Sequence, residues 1–422
     1  MGKIKKILDK VLEEITIEEK ELIEVANHII QQMKNYFKYG EIIVGGSVAK
    51  GTTIKSDKYD IDLFFLFNKK EEDLSKKLEK CLNKIKFLEI NGEKYKFKFF
   101  KVHASRDYFI FQFFYKDKKI NLEMIPVLKI DNPNEAKNIM DFSPLHVKYI
   151  KNKFNDKLKR EVKILKAFTK AANCYGAESY IRGFSGYGLE LLILKYRSFI
   201  NLLKNAVKWK PVVYIDIEKY YKNKNDALKK FNPSKLGPIL LVDPIKPDRN
   251  VLAALSNENF NKFINFSKSF FSNPSKKFFK KKILDENKLI KKAKIKKAKF
   301  LNINIEINAK ADVAGAKALK FYKEVEKNLN ENYLIFNSFF EFDDINKAKI
   351  FFIIKEKKEI IIKGPPLNLY GAVKAFEKAH KIVFIKGKFI YAKEKPKDIK
   401  KIIKNIAKNE NYKIKNLSIK II

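Results

Sequence analysis

Val44-Gly45-Gly46-Ser47-Val48-Ala49-Lys50-Gly51-Thr52, followed closely by Tyr59-Asp60-Ile61-Asp62-Leu63-Phe64, is the stretch on which the reading of this chain turns. On a strand, successive side chains alternate faces, so Asp60 and Asp62 project to one side with Cα atoms about 7 Å apart. Their neighbours Ile61, Leu63, Phe64, Phe65, Leu66 and Phe67 are apolar. Two like charges entering an apolar strand are costly unless something neutralises them. Magnesium does this well, since it favours carboxylates, water and substrate phosphate oxygens. The glycines permit a tight turn and let backbone N–H groups approach an anion. Residues 48–51 are expected to start a short helix whose N-terminus faces that anion. Ser47 adds a hydroxyl and Lys50 a cation, and a triphosphate fits this description.

A third carboxylate is expected from a neighbouring strand, where Lys119-Ile120-Asn121-Leu122-Glu123-Met124-Ile125-Pro126 offers Glu123 among apolar residues. In a two-metal site the ions sit roughly 3.5–4 Å apart and clamp the attacking and leaving oxygens. Asp60 and Asp62 would hold both ions. Glu123 would hold the one that activates a 3′-hydroxyl, and could accept its proton. A Gly-Gly-Ser turn alone is usually only a turn, and Asp-x-Asp on a strand is more often a solvated edge. The two in this order and spacing, with Glu123, read as a site for nucleotidyl transfer.

Working outward, residues 16–19 read as a capping box that opens a helix to about residue 36. A short strand at 41–44 and a longer one at 59–67 flank the glycine turn. Residues 95–101 and 108–128 supply further strands, with a hairpin turn at 116–119. The first ~140 residues are thus expected to form an α+β domain. From 155 to 203 the pattern is helical. Five prolines break residues 205–250, residues 252–271 read as helix, and 276–299 as a lysine-rich amphipathic stretch. The remainder alternates strands at 300–307, 333–342, 348–354, 359–362, 382–385 and 388–392 with helices at 311–329, 371–380 and 396–408. That is a second α+β region, so the fold class is α+β and multidomain.

The 422 residues allow two to four domains, and 45% of them are apolar, so the chain is globular. No run of eighteen apolar residues occurs, and the charged start lacks the apolar core of a secretory signal. Cys81 and Cys174, the two cysteines, provide no disulfide framework and no metal cluster. These features point to a cytoplasmic protein with no membrane partner. The formal charge of +41 suits a polyanion that releases counterions on binding. Part of the lysine excess reflects general Lys, Ile, Asn and Phe enrichment. The five arginines, Arg106, Arg160, Arg182, Arg197 and Arg249, are candidates for places that need a planar bidentate donor.

The glycine turn with Asp60-Ile61-Asp62 resembles that of the archaeal-type (class I) CCA-adding enzymes, tRNA nucleotidyltransferases of the DNA polymerase β type. Ser143-Pro144-Leu145-His146, Tyr175-Gly176-Ala177-Glu178, Gly183-Phe184-Ser185-Gly186-Tyr187 and Glu190-Leu191-Leu192 continue the resemblance. So do Val242-Asp243-Pro244, Arg249-Asn250-Val251 and Gly364-Pro365-Pro366. The family usually has Asp where Glu123 stands, and a His-Pro-Tyr stretch where Arg106-Asp107-Tyr108 lies.

This resemblance implies template-independent addition of C, C and A to tRNA 3′ ends from CTP and ATP, with two Mg2+ ions. Asp60, Asp62 and Glu123 are the implied catalytic metal ligands. Gly46, Ser47, Lys50, His146, Lys166 and Tyr175 are implied contacts to the triphosphate or sugar, and Arg249 helps read the base. The implied architecture is a polymerase β-like catalytic head at 1–142, a helical neck at 143–258, and an α+β body and tail at 259–422. The last of these grips the tRNA acceptor stem, and a homodimer is allowed. Taken singly, His146, Lys166 and Tyr175 would be read as packing or surface residues. Two alternatives stay open from the residues: another RNA nucleotidyltransferase such as a poly(A) polymerase, and a non-catalytic RNA-binding protein on the same scaffold.

Overall fold

The computed structural model describes residues 2–68, 71–281, 284–343 and 345–422. The chain packs as two compact units, Met1–Lys282 and Ile283–Ile422.

The first unit begins with helices α1 (Gly2–Ile15) and α2 (Glu19–Lys34). Strand β1 (Gly40–Val44), the short helix α3 (Gly46–Lys50) and strand β2 (Lys58–Phe67) follow. Next are α4 (Leu74–Leu82), a small hairpin β3 (Leu88–Ile90) and β4 (Glu93–Tyr95), then β5 (Lys98–Val102), β6 (Tyr108–Tyr115) and β7 (Lys118–Leu128). The main sheet has the order β1-β2-β7-β6-β5. β2 runs parallel to β7, and the other pairs are antiparallel.

Burial splits β2 by parity. Ile61, Leu63, Phe65 and Phe67 face α2 and α4 and join Ile29, Leu78, Leu122 and Met124 in one core. Phe64 and Leu66 lie on the other face with Ile125, Val127 and Val147. Asp60 and Asp62 share that second face by the two-residue repeat of a strand.

A helical layer completes the unit: α5 (Ser143–Lys153), α6 (Asp156–Ala171), α7 (Gly186–Tyr196) and α8 (Phe199–Ala206). Short elements β8 (Val213–Ile215), α9 (Lys224–Lys230) and β9 (Ile239–Leu241) lead to α10 (Asn257–Ser272). Leu165, Phe168, Leu191, Leu202, Phe263 and Phe270 build its core, which Val11 of α1 also enters.

Four sequence expectations change here. Residues 2–15, expected only as a charged stretch, form α1, whose Ile4, Ile7, Leu8 and Leu12 pack on the helical core at helical spacing. No capping box starts α2: its N-cap is Glu18, and Glu19 instead accepts from the Thr53 amide at 2.9 Å and pairs with Lys163 at 3.3 Å. The helix expected from residue 252 starts at Asn257, where Ser256 caps it. The amphipathic stretch at 276–299 divides into a 3-10 turn at Lys276–Phe279 and a helix starting at Glu286. Lys282 and Ile283 within that stretch lie outside the described residues.

The second unit holds α11 (Glu286–Ile295), β10 (Lys299–Ile307), α12 (Ala311–Asn332), β11 (Tyr333–Phe342), β12 (Lys347–Glu356) and β13 (Ile360–Pro366). It ends with α13 (Tyr370–Ala379), β14 (Val383–Lys386), β15 (Phe389–Glu394), α14 (Ile399–Ala407) and β16 (Ile414–Ile421). An antiparallel sheet, β11-β12-β10-β16, is covered on one face by α12 and α14 and on the other by α11. A three-stranded sheet, β13-β15-β14, stands beside α13.

Candidate active site

Parallel pairing of β2 with β7 puts Asp62 opposite Glu123 and Asp60 opposite Asn121. Partners in register point to the same face, so the three carboxylates share one face of the sheet. Asn121 donates to Asp60 Oδ1 at 3.1 Å, and Lys58 stands 3.6 Å from the same oxygen. Burial, then the Asp60 charge, pushes the Asp62 carboxyl up to about 6. Burial, Asp62 and Asp60 push Glu123 well above the ordinary carboxylate range. In both, burial comes first and repulsion between the carboxylates adds to it. Among the described residues, no three acidic, histidine or cysteine side chains are drawn close enough to enclose an ion by themselves.

The glycine turn leans directly on this group. The Gly45 amide donates to the Asp62 carbonyl at 2.7 Å. Gly46 has φ +58°, and a Cβ there would stand 1.6 Å from Asp62 Oδ2. Ser47 opens the first turn of α3, and its hydroxyl accepts from Thr53 Oγ1 at 3.1 Å.

Lys50 and Lys166 converge, though on a protein group. Glu190, fully buried on α7, accepts from Lys50 at 2.7 Å and from Thr52 Oγ1 at 3.0 Å. Lys166 Nζ donates to the carbonyl and hydroxyl of Thr52, each at 3.0 Å, and stands 3.9 Å from Glu190. Burial pulls the Lys166 amine down to about 8, against the pull of Glu190. One turn along α6, the Lys170 amine sits over the Tyr175 ring, 5.2 Å from its centroid. Burial lowers the pKa of Lys170, and the Asp60 charge opposes that shift.

His146 and Arg249 form a second cluster around Asp243. Asp243 Oδ2 accepts from His146 Nε2 at 3.1 Å and from Arg249 at 2.6 Å. The Tyr187 ring stacks on His146 at 4.2 Å. Arg106 is bound elsewhere: it donates to buried Asp141 at 2.5 Å and to the Pro126 carbonyl at 3.0 Å, tying the end of β7 to the start of the helical layer.

Sequence reading passed over Glu190, Asp243 and Tyr187 as partners of the site. Glu190 had a signal, a lone acid inside the apolar run Leu189-Glu190-Leu191-Leu192. A charge there is expected to be paired when the helix is buried.

Residues 26–153 match the family described as "Nucleotidyltransferase domain", and residues 160–280 the one described as "tRNA nucleotidyltransferase, second domain". The first unit thus has the fold of a nucleotidyltransferase. A CCA-adding enzyme of Methanocaldococcus jannaschii is 32% identical over 99% of this chain and 93% of its own length. One from Nanoarchaeum equitans is 35% identical over 77% of this chain and 76% of its own. The chain belongs to the CCA-adding enzymes.

Proposed function

We propose that this protein adds C, C and A to the 3′ end of tRNA from CTP and ATP, without a nucleic-acid template. The 3′-hydroxyl oxygen of the RNA bonds to the α-phosphorus of the incoming nucleotide, and pyrophosphate leaves. The observation that carries this reading is the register of β2 and β7, which sets Glu123 opposite Asp62 on the face that holds Asp60, beside the Gly45-Gly46 turn.

The carboxylates fit a pair of divalent cations, since burial and mutual repulsion raise Asp62 and Glu123 in their absence. Asp60, Asp62 and Glu123 would hold two Mg2+ ions, with substrate phosphates and water supplying the other oxygens. Bound there, the ions would make the 3′-hydroxyl a better nucleophile and would neutralise charge on the leaving pyrophosphate. Glu in place of Asp at position 123 reaches one methylene further across the same face. Gly46 keeps the turn close to Asp62, and the Ser47 hydroxyl and Lys50 border the same turn. Tyr175 and Lys166 line the α6 side, and His146 and Arg249 contact the nucleotide from the helical layer.

Functionally we divide the chain into a catalytic head (1–142), a neck that binds the nucleotide and primer end (143–258), and a body and tail for the acceptor stem (259–422). The net charge of +41 favours a phosphate-rich partner such as tRNA. Among the described residues no helix is long and apolar enough to cross a membrane. We place the enzyme in the cytoplasm, where its nucleotides and tRNA are found.

Asp62→Ala tests the catalytic reading. Incorporation should be abolished while tRNA affinity changes little. Wild type and variant equally inert, with tRNA still bound, would favour a non-catalytic RNA-binding protein.

A further inference from the structure

Asp243 is a fully buried carboxylate in the loop that follows β9, and the reaction above gives it no part. The loop closes on itself: the Asp243 amide donates to the Arg249 carbonyl at 3.0 Å, and the Arg249 amide to the Lys246 carbonyl at 2.9 Å. Oδ1 accepts from the Ile245 amide at 2.9 Å and the Tyr187 hydroxyl at 3.3 Å. Oδ2 accepts from Arg249 and from His146 Nε2. One carboxylate thus ties together the loop, α5 and α7.

These contacts decide a tautomer. Burial alone would raise the Asp243 carboxyl, but the hydrogen bond from His146 and the Arg249 charge outweigh it and hold it below the ordinary carboxylate range. The carboxylate is therefore ionised and can only accept, so His146 Nε2 must carry the proton. Burial is the largest influence on the imidazole and pushes it below its ordinary value. In the neutral ring, the form that burial favours, Nδ1 is the acceptor.

We infer that Asp243 is a positioning residue for the incoming nucleotide: it holds His146 in the Nε2–H form, with Nδ1 as an acceptor, and aims the Arg249 guanidinium. This rests on the reading of His146 and Arg249 as nucleotide contacts. An acceptor at Nδ1 selects a hydrogen-bond donor on the nucleotide. One such donor is the exocyclic amine that cytosine and adenine carry where uracil and guanine carry a carbonyl. The other is a ribose hydroxyl. Arg249, fixed at one end by Asp243 and 28% exposed, keeps surface for the same ligand.

Two measurements test this. Nitrogen-15 NMR of histidine-labelled protein, with His146 identified through His146→Gln, should show a neutral ring protonated at Nε2 at pH 7. A ring protonated at Nδ1, or a cationic ring, would overturn the inference, and this readout does not depend on activity. Asp243→Asn should then raise the nucleotide KM and leave the tRNA KM unchanged. It should also lower one selectivity ratio in kcat/KM by about tenfold or more. A fall in CTP and ATP over UTP and GTP assigns the donor to the base amine. A fall in CTP over 2′-deoxy-CTP assigns it to the ribose. Both ratios unchanged would refute the role. A wild-type protein that adds nothing to tRNA would instead sink the proposed function, whatever the NMR shows.

Discussion

Gly46 leaves no room for a side chain beside Asp62: a Cβ at position 46 would lie 1.6 Å from Asp62 Oδ2 and 2.5 Å from its Cγ. The turn and the carboxylate are built as one unit. Gly46→Ala would strain a backbone at φ +58° by about 1–2 kcal/mol and force the carboxylate aside. A displacement of this size costs activity far more than stability. We expect nucleotide incorporation to fall by about a hundredfold or more, with a small change in urea midpoint. Parallel incorporation assays and urea titrations check this.

Lys166 links stability to pH. Its folded pKa, about 8, lies below the ordinary lysine value of 10.5, so the unfolded chain binds more protons between those limits. Stability contributed at this site therefore rises with pH through that window. Below pH 8 both states are protonated, and the cost of burying the charge is present in full. Lys166→Met lacks this dependence. From pH 8 to 10.5, wild type should gain stability over the variant by an amount on the order of 1–3 kcal/mol, measured by denaturant unfolding. A difference that does not move, or moves the other way, contradicts the placement of the amine.

Salt tests the electrostatic part of the account. tRNA affinity should fall by about tenfold or more between ~50 and ~200 mM salt, because phosphate contacts release counterions. Filter binding across that range measures it, and flat behaviour is incompatible with a backbone-gripping enzyme of this charge.

The carboxylates could be read in the sequence because their grouping is local. Asp60 and Asp62 lie two residues apart on one strand, and Glu123 sits at the matching place on a strand of similar pattern. Strand β2 and the β6–β7 hairpin were legible for the same reason, as apolar runs broken at a turn. Helix α1 was not, although Ile4, Ile7, Leu8 and Val11 carry helical spacing, because lysine and aspartate fill the positions between them. Glu190 is 140 residues from Lys50, and Asp243 is 97 residues from His146. No local periodicity reports a pairing made across helices, so the site's anchoring charges emerged only once the helices were packed.

The most direct test of the central claim is the sequence of the product made on a tRNA that lacks its last three nucleotides, incubated with CTP and ATP. Addition of C, then C, then A, followed by arrest, is what the account requires. A long adenosine tract, or no extension by protein that still binds the tRNA, would contradict it.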